Sequence, residues 1–342
     1  MKAVVLAARK KLEAREVEKP LSTDGSLVMR VTACGICGSD LHYWEAGVGM
    51  DGRNGLVMGH EFAGIVEDPG DRTDLRPGQR VTAIPLNPCG GCSSCLQGSP
   101  QMCLNGMKRL NLGQNSPGAY AEYISVRPDM VRGLPDTISD VEAAMIEPAA
   151  VALHAVRTSG MLEGDTVLVV GGGAIGLLCA AWARIHGASR IFLSEVNEAR
   201  AASARAMGDA DEVVDGRDPG MASSVRKSTA GGVGIAIDAS AAEMGLNAAI
   251  SALKVRGTLV LAGISLAPQQ LKTLQLTLKE LTLRGSFGYR VEDFEHAMDT
   301  IASGRLAVGK YISRTVDLAG VQDAFETLYS GSSGDVKVII TP

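Results

Sequence analysis

"TVLVVGGGAIGLLCAAWA", residues 166–183, is eighteen uncharged residues bounded by Asp165 and Arg184. Length alone makes it a candidate membrane span. Its internal order argues otherwise. A β-branched run, TVLVV, comes first, three glycines follow, and a helix-like apolar run starts at about Ala174. A buried strand turning into a helix reads this way. Gly171, Gly173 and Gly176 stand in GxGxxG spacing. The first glycine permits a tight turn, the second lets backbone approach a pyrophosphate, and the third lets helix pack on strand. The helix start, with Gly173, Ala174, Ile175 and Gly176, offers unpaired N–H groups and a positive dipole end to phosphates. Nineteen residues past Gly176, Glu195 ends the apolar run RIFLSE. A carboxylate there accepts from both hydroxyls of a ribose and repels a 2′-phosphate, so NAD is expected over NADP. Arg200, a turn further on, reads as a solvated helix residue.

Outward from this turn, strands and helices alternate: TVLVV (166–170), a helix from Ala174, RIFLSE (190–195), a helix around NEARAASARAMG, then EVVD, IAIDAS, a helix near EMGLNAAISALK, and GTLVLAGI (257–264). LTLRGSFG (281–288) is the candidate last strand. The pattern is that of a doubly wound parallel sheet with helices on both faces, an α/β fold. Before Pro148 the chain differs. MKAVVL, SLVMRVTA, FAGIVED, QRVTAIPL and YAEYISV are strand candidates between turn signals, which predicts a β-rich domain. The helical DFEHAMDTIASG and the terminal VKVIITP are expected to return to it. The expected division is 148–284 for the dinucleotide domain, and 1–147 with 285–342 for the other.

Two domains suit a chain of 342 residues. Lys and Arg number 33 against 38 Asp and Glu, and the formal charge is −5. With no basic block, and only Lys108 with Arg109 near the cysteine-rich stretch, nucleic acid is not an expected partner. No secretory signal is read in MKAVVLAARK, so a reducing, cytoplasmic setting is expected.

In that setting the seven cysteines suit metal better than disulfides. "NPCGGCSSCLQGSPQMC", residues 87–103, places Cys89, Cys92, Cys95 and Cys103 with two, two and seven residues between them. Four thiolates make a closed zinc site with no position for substrate, so this cluster is expected to stiffen a loop. A second set of donors lies in "CGICGSDLHYW" (34–44), "GHEFAG" (59–64) and "IEPAAVALH": Cys37, Ser39, Asp40, His42, His60, Glu61 and Glu147. A catalytic zinc needs about three protein ligands and one open position. Spacing alone does not choose among these residues. Cys34 with Cys37 also reads as a CxxC, a redox pair or half of another closed site.

The combination of CGICGSDxH, GHE, the four-cysteine stretch, an EP motif and a following GxGxxG resembles the zinc-dependent medium-chain alcohol dehydrogenases over nearly the whole chain. "GSDLHYW" and "IEPAAVALHA" resemble the sorbitol and polyol (L-idonate-like) branch. The resemblance implies a GroES-like catalytic domain beside the Rossmann domain, two zinc ions per chain, NAD(H), and oxidation of a secondary hydroxyl of a polyol or sugar acid. It implies Cys37, His60 and Glu147 as ligands of the catalytic zinc, with Glu61 beside the metal and Asp40 orienting His60. Ser39 would bond the reacting hydroxyl, and His42 would end a proton relay running through the cofactor ribose. Cys89, Cys92, Cys95 and Cys103 map onto the structural zinc, and Cys34 onto buried packing. A homodimer or homotetramer formed through the nucleotide-binding domains is also implied.

One departure bears on substrate. Polyol dehydrogenases of this branch commonly carry an arginine where "GSFGYRVEDF" has Gly288, and Arg284 or Arg290 are the candidate substitutes. Tyr43 and Trp44 are expected as pocket walls, with residues 45–59 along one rim. The competing readings are a secondary-alcohol, diol or threonine-type dehydrogenase of the same fold, a zinc hydrolase, and a zinc-binding module.

Overall fold

The computed structural model describes residues 1–23, 25–106 and 111–342, so Lys108 and Arg109 lie outside the described residues. The chain forms two compact units, 1–147 with 290–342, and 148–289. The second crossing falls at Tyr289/Arg290 rather than at residue 285. Thr282–Gly285 is a strand of the second unit's sheet, and the residues that follow it stay with that unit.

In the unit 148–289 all strand pairs are parallel: the order runs Glu212–Asp215, Arg190–Glu195, Thr166–Val170, Val233–Asp238, Leu253–Leu261, Thr282–Gly285. Thr166–Val170 is central and its last four residues are buried. The helix after it, Ala174–Ile185, buries every residue from Gly176 to Ala183. That packing explains the long uncharged stretch. No helix among the described residues is long and apolar enough to cross a membrane. The order reverses beside the first strand, as the doubly wound arrangement requires.

The other unit is built on a mixed sheet of seven strands. Leu27–Gly35 lies at its middle and pairs antiparallel with Glu61–Asp68, which leads to Arg80–Ala83 and Val131–Gly133. On its other side runs the terminal strand Lys337–Ile340, antiparallel, followed by Ile312–Val316. Two sequence readings shorten. The strand expected to Leu86 stops at Ala83, two residues before Pro85, which has no N–H for a ladder. The one expected from Tyr120 starts at Tyr123, and Tyr120 instead turns into the interior. The polar strand Lys11–Glu16, with only Leu12 fully buried, gave no apolar run to find.

Candidate metal centres and dinucleotide turn

Leu27–Gly35 delivers Cys37 to the mouth of a helix, Gly38–Ala46, of which Cys37 is the N-cap residue. His60 and Glu61 open the neighbouring strand, whose Glu61 pairs with Gly35. Donor atoms of Cys37, His60 and Glu61 lie within 4.8 Å of one another. Glu147, in the first turn of the helix Ile146–Ser159, is 9% exposed and stays outside that group, although its charge is felt at Lys337. Burial opposes a charge on His60, yet Asp40 and Cys37 outweigh it and hold the ring well above its ordinary pKa. Thiol, imidazole and carboxylates gathered away from water are a set that calls for a cation. This donor chemistry fits zinc.

Ser39 and His42 sit three residues apart on the Gly38–Ala46 helix, on one face, with Ser39 half-buried and His42 exposed. Trp44 is buried against Phe325 and Tyr329, so it is core rather than a free pocket wall, and Tyr43 is half-buried. Cys34 is wholly buried and burial raises its thiol pKa, in keeping with packing. Arg284 donates to the Thr158 carbonyl at 2.8 Å, and Arg290 is an exposed helix cap.

Sequence reasoning missed Lys337. It is 2% exposed, donates to the Ile36 carbonyl at 2.9 Å and forms an ion pair with Glu61 Oε2. Burial alone would depress its pKa; Glu61 and Cys37 override that and raise it. A Cβ at Gly35 would overlap the ends of the Glu61 and Lys337 side chains, so any larger residue there would push the pair aside. The available signal was one charge in the otherwise apolar VKVII.

The four cysteines of the 89–103 stretch place their sulfurs within 4.8 Å of one another, with Cys92 to Cys95 at 3.5 Å and Cys92 to Cys103 at 3.9 Å. A zinc tetrahedron with bonds of about 2.3 Å has sulfur–sulfur edges of roughly 3.8 Å. The backbone is already shaped to it. N–H donors also point at sulfur: Cys89 N to Cys103 at 3.3 Å, Leu104 N to Cys92 at 3.4 Å, and Asn105 Nδ2 to Cys89 at 3.5 Å. Asn105, then the amides of Gly91 and Cys92, draw the Cys89 thiol down to about 5, while burial and Cys92 push Cys95 up to about 11.

In the other unit, Gly171 has φ +103° and Gly173 caps the following helix. A Cβ at Gly176 would collide with the Gly171 carbonyl, whereas one at Gly173 would meet nothing, leaving the open approach that a pyrophosphate needs. Ala174 and Ile175 form the helix's first turn. Glu195 Oε2 accepts from Gly172 N at 2.7 Å, and Oε1 from Val196 N and Asn197 N, each at 2.7 Å. Arg200 is not simply solvated: its Nε lies 3.4 Å from Glu195.

Two family patterns match the chain, Alcohol dehydrogenase GroES-like domain over residues 23–136 and Zinc-binding dehydrogenase over residues 174–303. D-xylulose reductase A of Aspergillus niger is 30% identical over 351 residues, covering 97% of this chain and 93% of that protein. Among solved structures, a zinc-binding dehydrogenase of Sinorhizobium meliloti bound to NADP superposes with a TM-score of 0.89 at 30% identity, covering 100% of this chain and 99% of the other. L-idonate 5-dehydrogenase of Escherichia coli gives 0.88 at 26% identity, covering 100% and 98%.

Replacing Lys337 by Met should destabilise the metal-free protein by roughly 3–5 kcal/mol in urea, by stranding the Glu61 charge. Adding Glu61→Gln should restore most of that loss; equal destabilisation in single and double variants would contradict the pairing. Cys92→Ser should lower the melting temperature and release one zinc, while leaving turnover per folded molecule intact. Lost turnover at an unchanged melting temperature would contradict that division of labour.

Proposed function

The chain belongs to the zinc-dependent medium-chain alcohol and polyol dehydrogenases, and from that premise we propose that it oxidises a secondary hydroxyl of a polyol or sugar acid to the ketone, reversibly, with NAD as hydride acceptor. The reading is carried by the presence in one chain of a mixed-donor group, a four-thiol group and a turn shaped for dinucleotide. A zinc hydrolase has no use for the turn. A zinc-binding module has no use for Cys37 and His60. The substrate class follows the similar proteins, whose names concern a ketose and a sugar acid.

In this proposal Cys37, His60 and Glu147 hold the catalytic zinc, and Cys89, Cys92, Cys95 and Cys103 the structural one. Glu61 is countered by Lys337, which keeps it a neighbour of the metal rather than a standing ligand. When bound, zinc supplies Lewis-acid polarisation of the substrate hydroxyl and NAD supplies the hydride acceptor. The chain's own residues do the rest. Ser39 Oγ would accept the hydroxyl proton as it passes its own on, through the cofactor ribose, to His42, which is exposed one turn later and would deliver it to solvent. Gly171, Gly173, Ala174, Ile175 and Gly176 seat the pyrophosphate. Glu195, held by three backbone amides and pairing with Arg200, presents a fixed negative charge to the adenosine ribose, which disfavours a 2′-phosphate.

A second reading, a secondary-alcohol, diol or threonine-type dehydrogenase, draws on Gly288. With φ +57° and no side chain, it places no guanidinium where the polyol branch commonly has one. The mechanism is unchanged.

We also propose a homodimer through the edge strand Thr282–Gly285. All four of its residues are exposed, and Leu283 and Phe287 show 41% and 56% of their surface. An unpaired strand edge bearing apolar side chains invites pairing with a second copy. The seven free cysteines suit the cytoplasm, where we place the enzyme.

Initial rates of NAD and NADP reduction against hexitols, pentitols, aldonates, short diols, secondary alcohols and threonine test the reading, with zinc content measured alongside. A preference for NAD and for one polyol or sugar acid is expected, and Ser39→Ala should lower kcat by about 10²-fold or more without weakening NADH binding. Turnover of only simple alcohols would select the second reading; NADH binding that falls with Ser39→Ala would remove the relay role. Sedimentation velocity should show a dimer that Leu283→Lys dissociates, and a wild-type monomer at micromolar concentration would overturn the interface.

A further inference from the structure

We propose that Tyr120 is a positioning residue for the catalytic metal, acting through Asp40 on His60. This rests on the reading of Cys37 and His60 as zinc ligands, and adds a residue that no motif marks. Asp40 is fully buried, and its two oxygens do different work. Oδ2 accepts from the Tyr120 hydroxyl at 2.7 Å and from the Cys37 amide at 3.0 Å. Oδ1 faces His60 Nδ1 at 3.5 Å, and among the described residues neither atom has a hydrogen-bond partner, so each is left to the other. With Oδ2 anchored twice, the carboxylate cannot turn its free oxygen away from the imidazole. The ring is then directed to present its other nitrogen to a metal.

Tyr120 is suited to this in three respects. Its ring fills the space that a Cβ of Gly59 would occupy, so it packs on the backbone immediately before His60. Phe325 meets it edge-on with ring centres 6.1 Å apart, which fixes the ring's own direction. Burial, then Asp40, raise the phenol well above its ordinary pKa, so the hydroxyl keeps its proton and remains a donor. The chain Tyr120–Asp40–His60, with its branch to the Cys37 amide, therefore ties two of the three proposed ligands to one hydroxyl.

Tyr120→Phe keeps the ring and deletes the donor. Zinc release from the folded protein to a chromogenic chelator separates the mixed-donor site from the four-thiolate site, which serves as internal control. Release from the mixed-donor site should quicken about tenfold or more, with the four-thiolate phase unchanged and the visible bands of cobalt(II) at the mixed-donor site shifted. Tyr120→Met, which also fills the space without a donor, should behave alike and stands in if the Phe variant does not fold. Release and cobalt spectra identical to wild type would overturn the proposal, even if the melting temperature falls, since a packing role alone predicts that. A wild-type chain that takes up no metal beyond the four-thiolate zinc would instead overturn the functional reading and this inference together.

Discussion

A carboxylate taken out of water keeps its charge only where hydrogen bonds or a cation beside it offset the lost hydration. The unit formed by 1–147 and 290–342 encloses Asp40, Glu61 and Glu147 with Cys37 and His60. Lys337 answers part of that charge, and the proposed zinc would answer more of it. The sheet is arranged to bring this about. Lys337 reaches Glu61 only because the terminal strand lies against Cys34 and Gly35, and Ile36 donates to Val338 in the same register. The pair occupies the place a side chain at Gly35 would take, so a larger residue there would displace it. The discontinuity of this unit, which takes up the chain's last fifty-three residues, is thus tied to the chemistry of its interior.

The dinucleotide turn is a second closed argument, made by backbone. Gly172 donates to Glu195, so the carboxylate that would face a ribose also fastens the turn to the end of the next strand. Gly176 lets the helix come down onto the Gly171 carbonyl. Any side chain there would lift the helix N-terminus away from the place where its amides are useful. Arg200 beside Glu195 tempers the site's negative charge, and the balance between the two decides how firmly a 2′-phosphate is refused.

What could be read from sequence follows from the range of the interactions. The turn and the four thiols are local: their residues lie within a few positions of each other, so spacing reports geometry. The parallel sheet was legible because each strand is a short apolar run set off by glycine or a helix. Lys337 and Glu61 are 276 residues apart and meet only through sheet pairing. Tyr120 reads as the start of a strand in GAYAEY, and only the fold turns its hydroxyl toward Asp40. Glu61 and Glu147 illustrate the remaining limit. Motif spacing treats them alike as nearby carboxylates, and three-dimensional placement is needed to see that one lies in the tight donor group and carries a counter-ion.

The two donor sets also differ in the charge they would give a metal. Four thiolates around a dication leave a net charge of −2, a full coordination shell and a poor electrophile. That suits a clasp between Cys89 and Cys103. One thiolate, one neutral imidazole and one carboxylate would leave a net charge of zero, and a carboxylate is a harder, less electron-releasing ligand than a thiolate. A metal held by such a set would keep more of its pull on a substrate oxygen, with a position left for that oxygen. Glu61 would lower this electrophilicity and fill the position if it joined the shell. In the proposed site the ammonium of Lys337, buried against Glu61, would hold that carboxylate in reserve, so the ion pair that stabilises the interior would also keep a bound metal reactive.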